Sequence, residues 1–167
     1  MRWQVRLKTL EDTGRLGAAL AQNILAQRAQ LPLAIALCGP LGAGKTELVR
    51  CIAGELGVRR EAVTSPTYVL MQRYRGVVTL NHLDFYRLKS VEEVWDLGID
   101  EWLVEPAVTI IEWADKFCEV WPDEVLRCDL SLESNGSRLA QFTAQGARAQ
   151  AVLEGVAACF TPDGIGQ

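Results

Sequence analysis

The sequence lacks the patterns that mark a secreted, zinc-binding or membrane-spanning protein. Its five cysteines are odd in number and contain no C-x-x-C pair, which argues against a disulfide framework and a zinc site. We expect all five to pack as small apolar side chains. Residues 1–8 lack the apolar stretch of a signal peptide, and no apolar run approaches the ~20 residues that cross a bilayer. We therefore expect a cytoplasmic protein that does not engage a membrane.

The sequence is also not rich in basic residues. The chain has 17 Lys and Arg against 21 Asp and Glu, for a net charge of −4. A protein that grips nucleic acid by itself needs a basic face, so we expect any contact with RNA to be indirect, through a larger assembly. The 167 residues, 49% of them hydrophobic, suit one compact domain spanning 1–167, with a loose tail at 161–167.

The hydrophobic patterns predict an α/β fold whose mainly parallel sheet gains antiparallel strands. The apolar runs 33–38 and 107–112 are typical of strands buried on both faces of a parallel sheet. Asn135-Gly136, set between two alternating segments, predicts a β-hairpin. Strands are predicted over 3–8, 33–38, 68–74, 77–84, 107–112, 126–133 and 138–144.

Capping and periodicity predict the helices. Thr9 and Asp12 form a capping pattern before a segment in which apolar residues recur every four positions, at Leu16, Leu20 and Ile24. A second helix follows the glycine-rich segment 39–46 and ends at Gly57. Further helices are predicted after a capping box of Ser90 and Glu93, closed by Gly98, and over 147–160.

The segment 39–46, GPLGAGKT, matches G-x-x-x-x-G-K-[ST] in full, and it follows a buried strand and opens a helix. Glycines let backbone N–H groups wrap an anion, and the helix N-terminus adds positive charge at that point. Lys45 can reach the β- and γ-phosphates, and Thr46 can place its hydroxyl on Mg²⁺. The phosphate-binding backbone is that of Gly39, Leu41, Gly42, Ala43 and Gly44. The pattern predicts a P-loop NTPase three-layer fold that binds a nucleoside triphosphate, without naming a reaction.

Two acids end predicted strands and are candidates for the metal site. Asp84 ends the segment 77–84, and Glu112 ends the more apolar segment 107–112. Both would emerge at the carboxyl edge of the sheet, where ligands bind in open α/β folds. The pattern favours Glu112 for the metal and leaves Asp84 for positioning water or a water-mediated metal contact, but which acid touches Mg²⁺ directly stays open. His82, the only histidine, is more often structural than catalytic in such a setting.

Four blocks together resemble the TsaE family, bacterial ATPases needed to make threonylcarbamoyladenosine on tRNA. They are GPLGAGKT (39–46), SPTYVL (65–70), HLDFYRL (82–88) and IEW (111–113), and the segment 10–21 is similar to the family's first helix. The P-loop alone is unspecific, whereas the combination is highly specific. The resemblance extends to about Phe142.

The resemblance implies residue roles and partners. It implies that Lys45 and the loop bind ATP, that Thr46 and Glu112 contact Mg²⁺, and that Asp84 is the family's essential aspartate. The resemblance also places Trp113, Arg138 and Thr13 at the nucleotide. It implies that Ser65 and Thr67 lie in a switch loop that senses the γ-phosphate. The expected partners are the TsaD and TsaB subunits of a tRNA-modifying complex, which ATP hydrolysis would reset between rounds.

Other functions share the P-loop. A small kinase that phosphorylates a metabolite should carry an arginine-rich lid, and no such cluster follows Asp84. A GTPase should carry an N-K-x-D motif, which is absent. A nucleotide-gated binding module with negligible catalysis differs from an ATPase only in rate and stays an alternative.

Overall fold

The computed structural model describes residues 1–160 and consists of one seven-stranded sheet between two layers of helices. The strands are β1 (Arg2–Leu7), β2 (Leu33–Cys38), β3 (Met71–Arg75), β4 (Thr79–Asp84), β5 (Val108–Glu112), β6 (Val125–Leu132) and β7 (Arg138–Gln145). Their spatial order is β1-β7-β6-β2-β5-β4-β3. The predicted tail at 161–167 lies outside the described residues.

The centre of the sheet is parallel and its flanks are antiparallel. Strand β2 runs parallel to β5 and β6, and β4 runs parallel to β5. The hairpin β6–β7 with β1, and the pair β3–β4, add the antiparallel strands. The predicted fold class is therefore confirmed. The arrangement brings the ends of β2, β4 and β5 to one edge of the sheet, next to the P-loop.

Within residues 1–160, five α-helices cover the sheet. They are α1 (Leu10–Ala26), α2 (Lys45–Glu55), α3 (Val91–Asp96), α4 (Ile99–Val104) and α5 (Ala147–Cys159). Helices α1, α2 and α5 pack on one face, and α3, α4 and a 3₁₀ segment, Ala114–Val120, pack on the other. The Thr9–Asp12 capping box is present, and Leu16, Leu20 and Ile24 are fully buried, as predicted. Between residues 1 and 160, no helix combines the length and apolar character that a bilayer crossing requires.

Local structure departs from prediction at residues 68–70, at Ser90 and at 99–104. The strand predicted from residue 68 begins only at Met71, because Val69 and Leu70 donate backbone hydrogen bonds to the Pro66 carbonyl and turn the chain. The capping box at Ser90 does not form, since the Glu93 carboxylate accepts from the Lys89 amide instead. Gly98 ends α3 and also begins α4, which the sequence did not predict.

The cysteines divide into two groups. Cys38, Cys51 and Cys128 are buried, and burial raises the pKa of the Cys38 thiol to about 12. Cys118 and Cys159 are exposed, so the prediction that all five pack in the core is wrong for these two. The apolar character of cysteine does not show where each one lies. Cys118 is in the short 3₁₀ segment and Cys159 is at the end of α5, and both positions are at the surface.

Helix α1 approaches α2, the helix that follows the P-loop, most closely at Gly17. A Cβ at this position would overlap the Cβ of Cys51 and lie 3.1 Å from the Ile52 nitrogen. Gly14, one turn earlier on α1, has nothing within 4 Å of the same virtual atom. The lack of a side chain at Gly17 therefore sets how near α1 lies to the helix that carries the phosphate loop.

These two glycines form a matched pair for testing the packing. Gly17→Ala should lower the free energy of unfolding by roughly 1–3 kcal/mol, the usual cost of forcing an extra methyl group into a packed interface. Gly14→Ala should raise it by up to about 1 kcal/mol, because alanine is the better helix former. Urea denaturation measures both changes. Equal effects at the two positions would contradict the close approach.

Candidate nucleotide-binding site

The phosphate loop leaves the carboxyl end of β2 and enters α2 at Gly44. Gly39 has a φ of 129°, and a Cβ there would overlap the carbonyl oxygen of Leu130 on β6. Gly44 has a φ of 102° and is the N-cap of α2. Side chains rarely adopt either conformation, so the glycines permit the turn that aims the first amides of α2 at the loop's centre.

An open cavity of about 320 Å³ lies against this loop. The residues around it come from the loop, α2 and the ends of β4 and β5. They are Leu41, Gly42, Gly44, Lys45, Thr46, Glu47, Ser65, Thr67, Asp84, Tyr86, Glu112 and Trp113. The loop is therefore neither collapsed nor filled, and most of the predicted site residues meet in one place.

The Lys45 ammonium is held by the loop itself. Its Nζ donates to the carbonyl oxygens of Gly39 at 2.7 Å and Pro40 at 2.9 Å, and it lies 3.8 Å from the centre of the Trp113 ring. Burial lowers the pKa of Lys45, while the carboxylates of Glu112 and Asp115 raise it. The lysine thus has two acceptors within the loop, and a phosphate would compete with these carbonyl groups for its protons.

Glu112 and Thr46 are in direct contact. Thr46 Oγ1 donates to Glu112 Oε2 at 2.8 Å, and the carboxylate is only 2% exposed. The other oxygen, Oε1, lies 2.8 Å from Nε2 of the buried His82. Strand β5 runs parallel to β4, which carries His82, and to β2, which leads into the P-loop. These two pairings bring the groups together although Thr46 and Glu112 are 66 residues apart in sequence.

The residues present fit a magnesium ion held mainly by a nucleotide. A hydroxyl and a carboxylate are oxygen ligands of the kind that Mg²⁺ prefers. Within residues 1–160, no three His, Cys, Asp or Glu side chains converge as a metal site. Mg²⁺ in NTPase sites usually keeps several waters and takes its remaining ligands from phosphates. Thr46 and Glu112 would supply the protein side of such a site.

Asp84 binds the loop that follows Thr64. Its Oδ2 accepts from Thr67 Oγ1 at 2.6 Å and from Ser65 Oγ at 3.2 Å, and its Oδ1 accepts from the Tyr86 amide at 2.8 Å. The two acids therefore differ in their partners, since Glu112 holds the P-loop threonine and Asp84 holds the segment that was predicted as a switch loop. Direct metal contact by either acid stays a prediction.

Two aromatic residues line the rim of the cavity. The rings of Tyr86 and Trp113 are 5.0 Å apart, and Trp113 has a left-handed backbone with a φ of 56°. Such a conformation is uncommon outside glycine and often occurs at functional sites. Tyr86 and Glu47 were not predicted as site residues. Two signals for Tyr86 were present: its position two residues after the strand-ending Asp84, and its place in the block HLDFYRL (82–88).

Arg138 and Thr13 occupy different surroundings. Arg138 begins β7, and its Nε donates to the Ala43 carbonyl at 3.2 Å, so it lies directly on the P-loop. Thr13 is buried in α1, where its hydroxyl faces the Thr9 carbonyl at 3.5 Å, and it is not among the residues around the cavity. Contact of either side chain with a nucleotide stays a prediction.

A comparison with family models decides which family the chain represents. The model described as "Threonylcarbamoyl adenosine biosynthesis protein TsaE" matches residues 7–140. This range contains the P-loop, Asp84, Glu112 and the first residues of β7. The chain belongs to the TsaE family.

Individual relatives agree with this membership. The TsaE chain is 34% identical over 131 residues to the tRNA threonylcarbamoyladenosine biosynthesis protein TsaE of Treponema pallidum, covering 78% of this chain and 93% of that protein. It is 37% identical over 121 residues to the TsaE of Bacillus subtilis, covering 72% and 75%. A crystal structure of Bacillus subtilis YdiB superimposes with a TM-score of 0.75 at 27% identity, covering 95% of both chains. The resemblance predicted from the four sequence blocks is therefore confirmed.

Lys45→Ala should abolish ATP binding by this TsaE chain and leave the fold intact. The substitution removes the only side-chain ammonium around the cavity formed by the described residues. Charge-assisted hydrogen bonds contribute about 1.5–3 kcal/mol each, so losing two or more lowers affinity by roughly 100-fold or more. Isothermal titration calorimetry with ATP and Mg²⁺ measures the change.

Lys89→Ala is the matched control, because Lys89 is an exposed lysine outside the cavity. It removes the same charge and should leave the affinity for ATP unchanged. Circular dichroism should show wild-type secondary structure for both variants. Retained ATP affinity in Lys45→Ala would rule out the site.

Proposed function

We propose that the chain is a Mg²⁺-dependent ATPase that supports threonylcarbamoyladenosine formation on tRNA. The observation that carries the proposal is the 2.8 Å hydrogen bond between Thr46 and Glu112 beside an open phosphate loop. It joins the hydroxyl that P-loop proteins use for Mg²⁺ to a carboxylate at the end of an adjacent strand. Membership of the TsaE family, whose members are named for this tRNA modification, supports the biological role.

The residues divide the chemistry of ATP hydrolysis among them. The loop amides and Lys45 bind the phosphates and stabilise the charge that develops on the γ-phosphoryl group. Thr46 and Glu112 would hold Mg²⁺, which would supply positive charge next to the phosphates. Of the other cavity carboxylates, Glu47 pairs with Arg50 and Arg60. We therefore assign to Asp84 the orientation of the water that attacks the γ-phosphorus.

The proposed partners are the TsaD and TsaB subunits of the tRNA-modifying complex. The net charge of −4 supports a division of labour in which the partner, and not this chain, contacts the tRNA. Hydrolysis would reset the complex between rounds of modification. Ser65 and Thr67 link this role to the site, because both are hydrogen-bonded to Asp84 and lie in a loop between α2 and β3.

Release of phosphate from ATP tests the proposed activity directly. We expect slow, Mg²⁺-dependent release by the chain alone and faster release when TsaB and TsaD are added. Lys45→Ala should show no release in either condition. Equal rates with and without the partners would contradict partner dependence, and transfer of the γ-phosphate to an added metabolite would indicate a kinase.

Two conservative substitutions should separate the roles of the acids. Glu112→Gln should raise the Mg²⁺ concentration needed for half-maximal rate, because the carboxylate next to Thr46 loses its charge. Asp84→Asn should lower kcat by about 100-fold or more with little change in that Mg²⁺ concentration, since a positioned base or water-orienting group contributes roughly 10²–10⁴-fold. Phosphate release measured over a Mg²⁺ titration gives both quantities. The opposite pattern would exchange the two assignments.

A further inference from the structure

His82 is a buried polar residue in a mainly apolar part of the sheet. It lies in the middle of β4, is 0% exposed, and pairs in register with Ile110 on β5. Alternation along β4 places Leu80, His82 and Asp84 on the same face, towards α2. Leu80 belongs to the apolar core on that face. A polar ring in this position costs free energy unless it makes a hydrogen bond, so its single partner is informative.

That partner is the carboxylate of Glu112. His82 Nε2 lies 2.8 Å from Glu112 Oε1, while Thr46 Oγ1 donates to Oε2 from the side of the P-loop. Each oxygen is therefore held from a different element, one from β4 and one from α2. Rotation of the carboxylate about its last bond would break both hydrogen bonds. The position and tilt of the Glu112 carboxylate are thus defined before any ligand arrives.

The contact with Glu112 identifies the donor atom of the ring. An ionised carboxylate can only accept hydrogen bonds, so Nε2 carries a proton and donates to Glu112. Among the described residues, His82 Nδ1 is buried and has no hydrogen-bond partner. His82 therefore acts on the site through Nε2.

We propose that His82 is a positioning residue that orients Glu112 towards the magnesium ion of a bound nucleotide; this inference rests on the proposed function. His82 is not among the residues around the cavity and would touch neither the metal nor the phosphates. It acts through Glu112 alone. Groups that orient a metal ligand in this way commonly change metal affinity by about 10–100-fold when they are replaced.

Metal affinity tests the proposal with a readout independent of turnover. Electron paramagnetic resonance of free Mn²⁺ measures the Kd of Mn²⁺ for the chain saturated with a non-hydrolysable ATP analogue. His82→Leu should raise this Kd about 10–100-fold. His82→Gln should stay near wild type, because its side-chain amide can donate from the place of Nε2. Affinity for the analogue in the presence of EDTA should not change in either variant.

Asn81→Leu is the matched control. Asn81 is also 0% exposed and polar on β4, but it faces the other side and hydrogen-bonds to Thr109 and Arg73. It should lower stability without changing the Kd of Mn²⁺. The proposal would be overturned by an unchanged Kd in His82→Leu, by an equal loss in Asn81→Leu, or by no recovery in His82→Gln. A wild-type chain that binds no analogue would instead overturn the proposed function.

The donor atom has a separate test, because His82 is the only histidine in the sequence. Nitrogen-15 NMR of the untagged, nucleotide-free chain should show a proton on Nε2. The Nε2 resonance should move when Mg²⁺ and the analogue are added together. An Nε2 without a proton, or an Nε2 resonance that does not change when the metal is added, would contradict the role of His82.

Discussion

A carboxylate at the end of a buried strand has to be held by hydrogen-bond donors, and this requirement organises the site. Glu112 is 2% exposed, and an unpaired charge in such a place would be costly. Its two oxygens are satisfied by Thr46 at the start of α2 and by His82 on β4. One acid thereby joins the P-loop helix to two neighbouring strands. The two hydrogen bonds that stabilise the buried Glu112 carboxylate also fix the orientation in which it would bind a metal.

The buried ammonium of Lys45 is likewise stabilised by hydrogen bonds. Lys45 is 5% exposed and donates to two carbonyl groups of the phosphate loop. Glu112 and Asp84 supply negative charge nearby, so the cavity already contains opposite charges. A triphosphate adds further negative charge, which explains physically why binding would be coupled to a divalent cation. The lysine would then exchange neutral acceptors for charged ones.

The segment around Ser65 and the hairpin surround this centre. Asp84 accepts side-chain hydrogen bonds from Ser65 and Thr67, which joins their loop to the end of β4. The antiparallel hairpin places Arg138 on the carbonyl of Ala43 and the β6 backbone beneath Gly39. The added strands therefore do more than widen the sheet, because they support the loop from the side opposite to Glu112.

The sequence alone predicted the P-loop, the buried strands and the hairpin at Asn135-Gly136, because each depends on residues that are close together in the chain. It also predicted the TsaE resemblance, because each of the four blocks that carry it is short and continuous. The sequence wrongly predicted a capping box at Ser90, because the Glu93 carboxylate accepts a hydrogen bond from the Lys89 amide instead. It also wrongly predicted that Cys118 and Cys159 are buried, because their exposure depends on how short segments pack. It also did not predict the hydrogen bond between His82 and Glu112, and it missed Tyr86. The resemblance implied that Thr46 and Glu112 meet at one metal ion, but only the tertiary structure placed His82 beside them. The reason is that strand order in a sheet is set by long-range packing that no local pattern records.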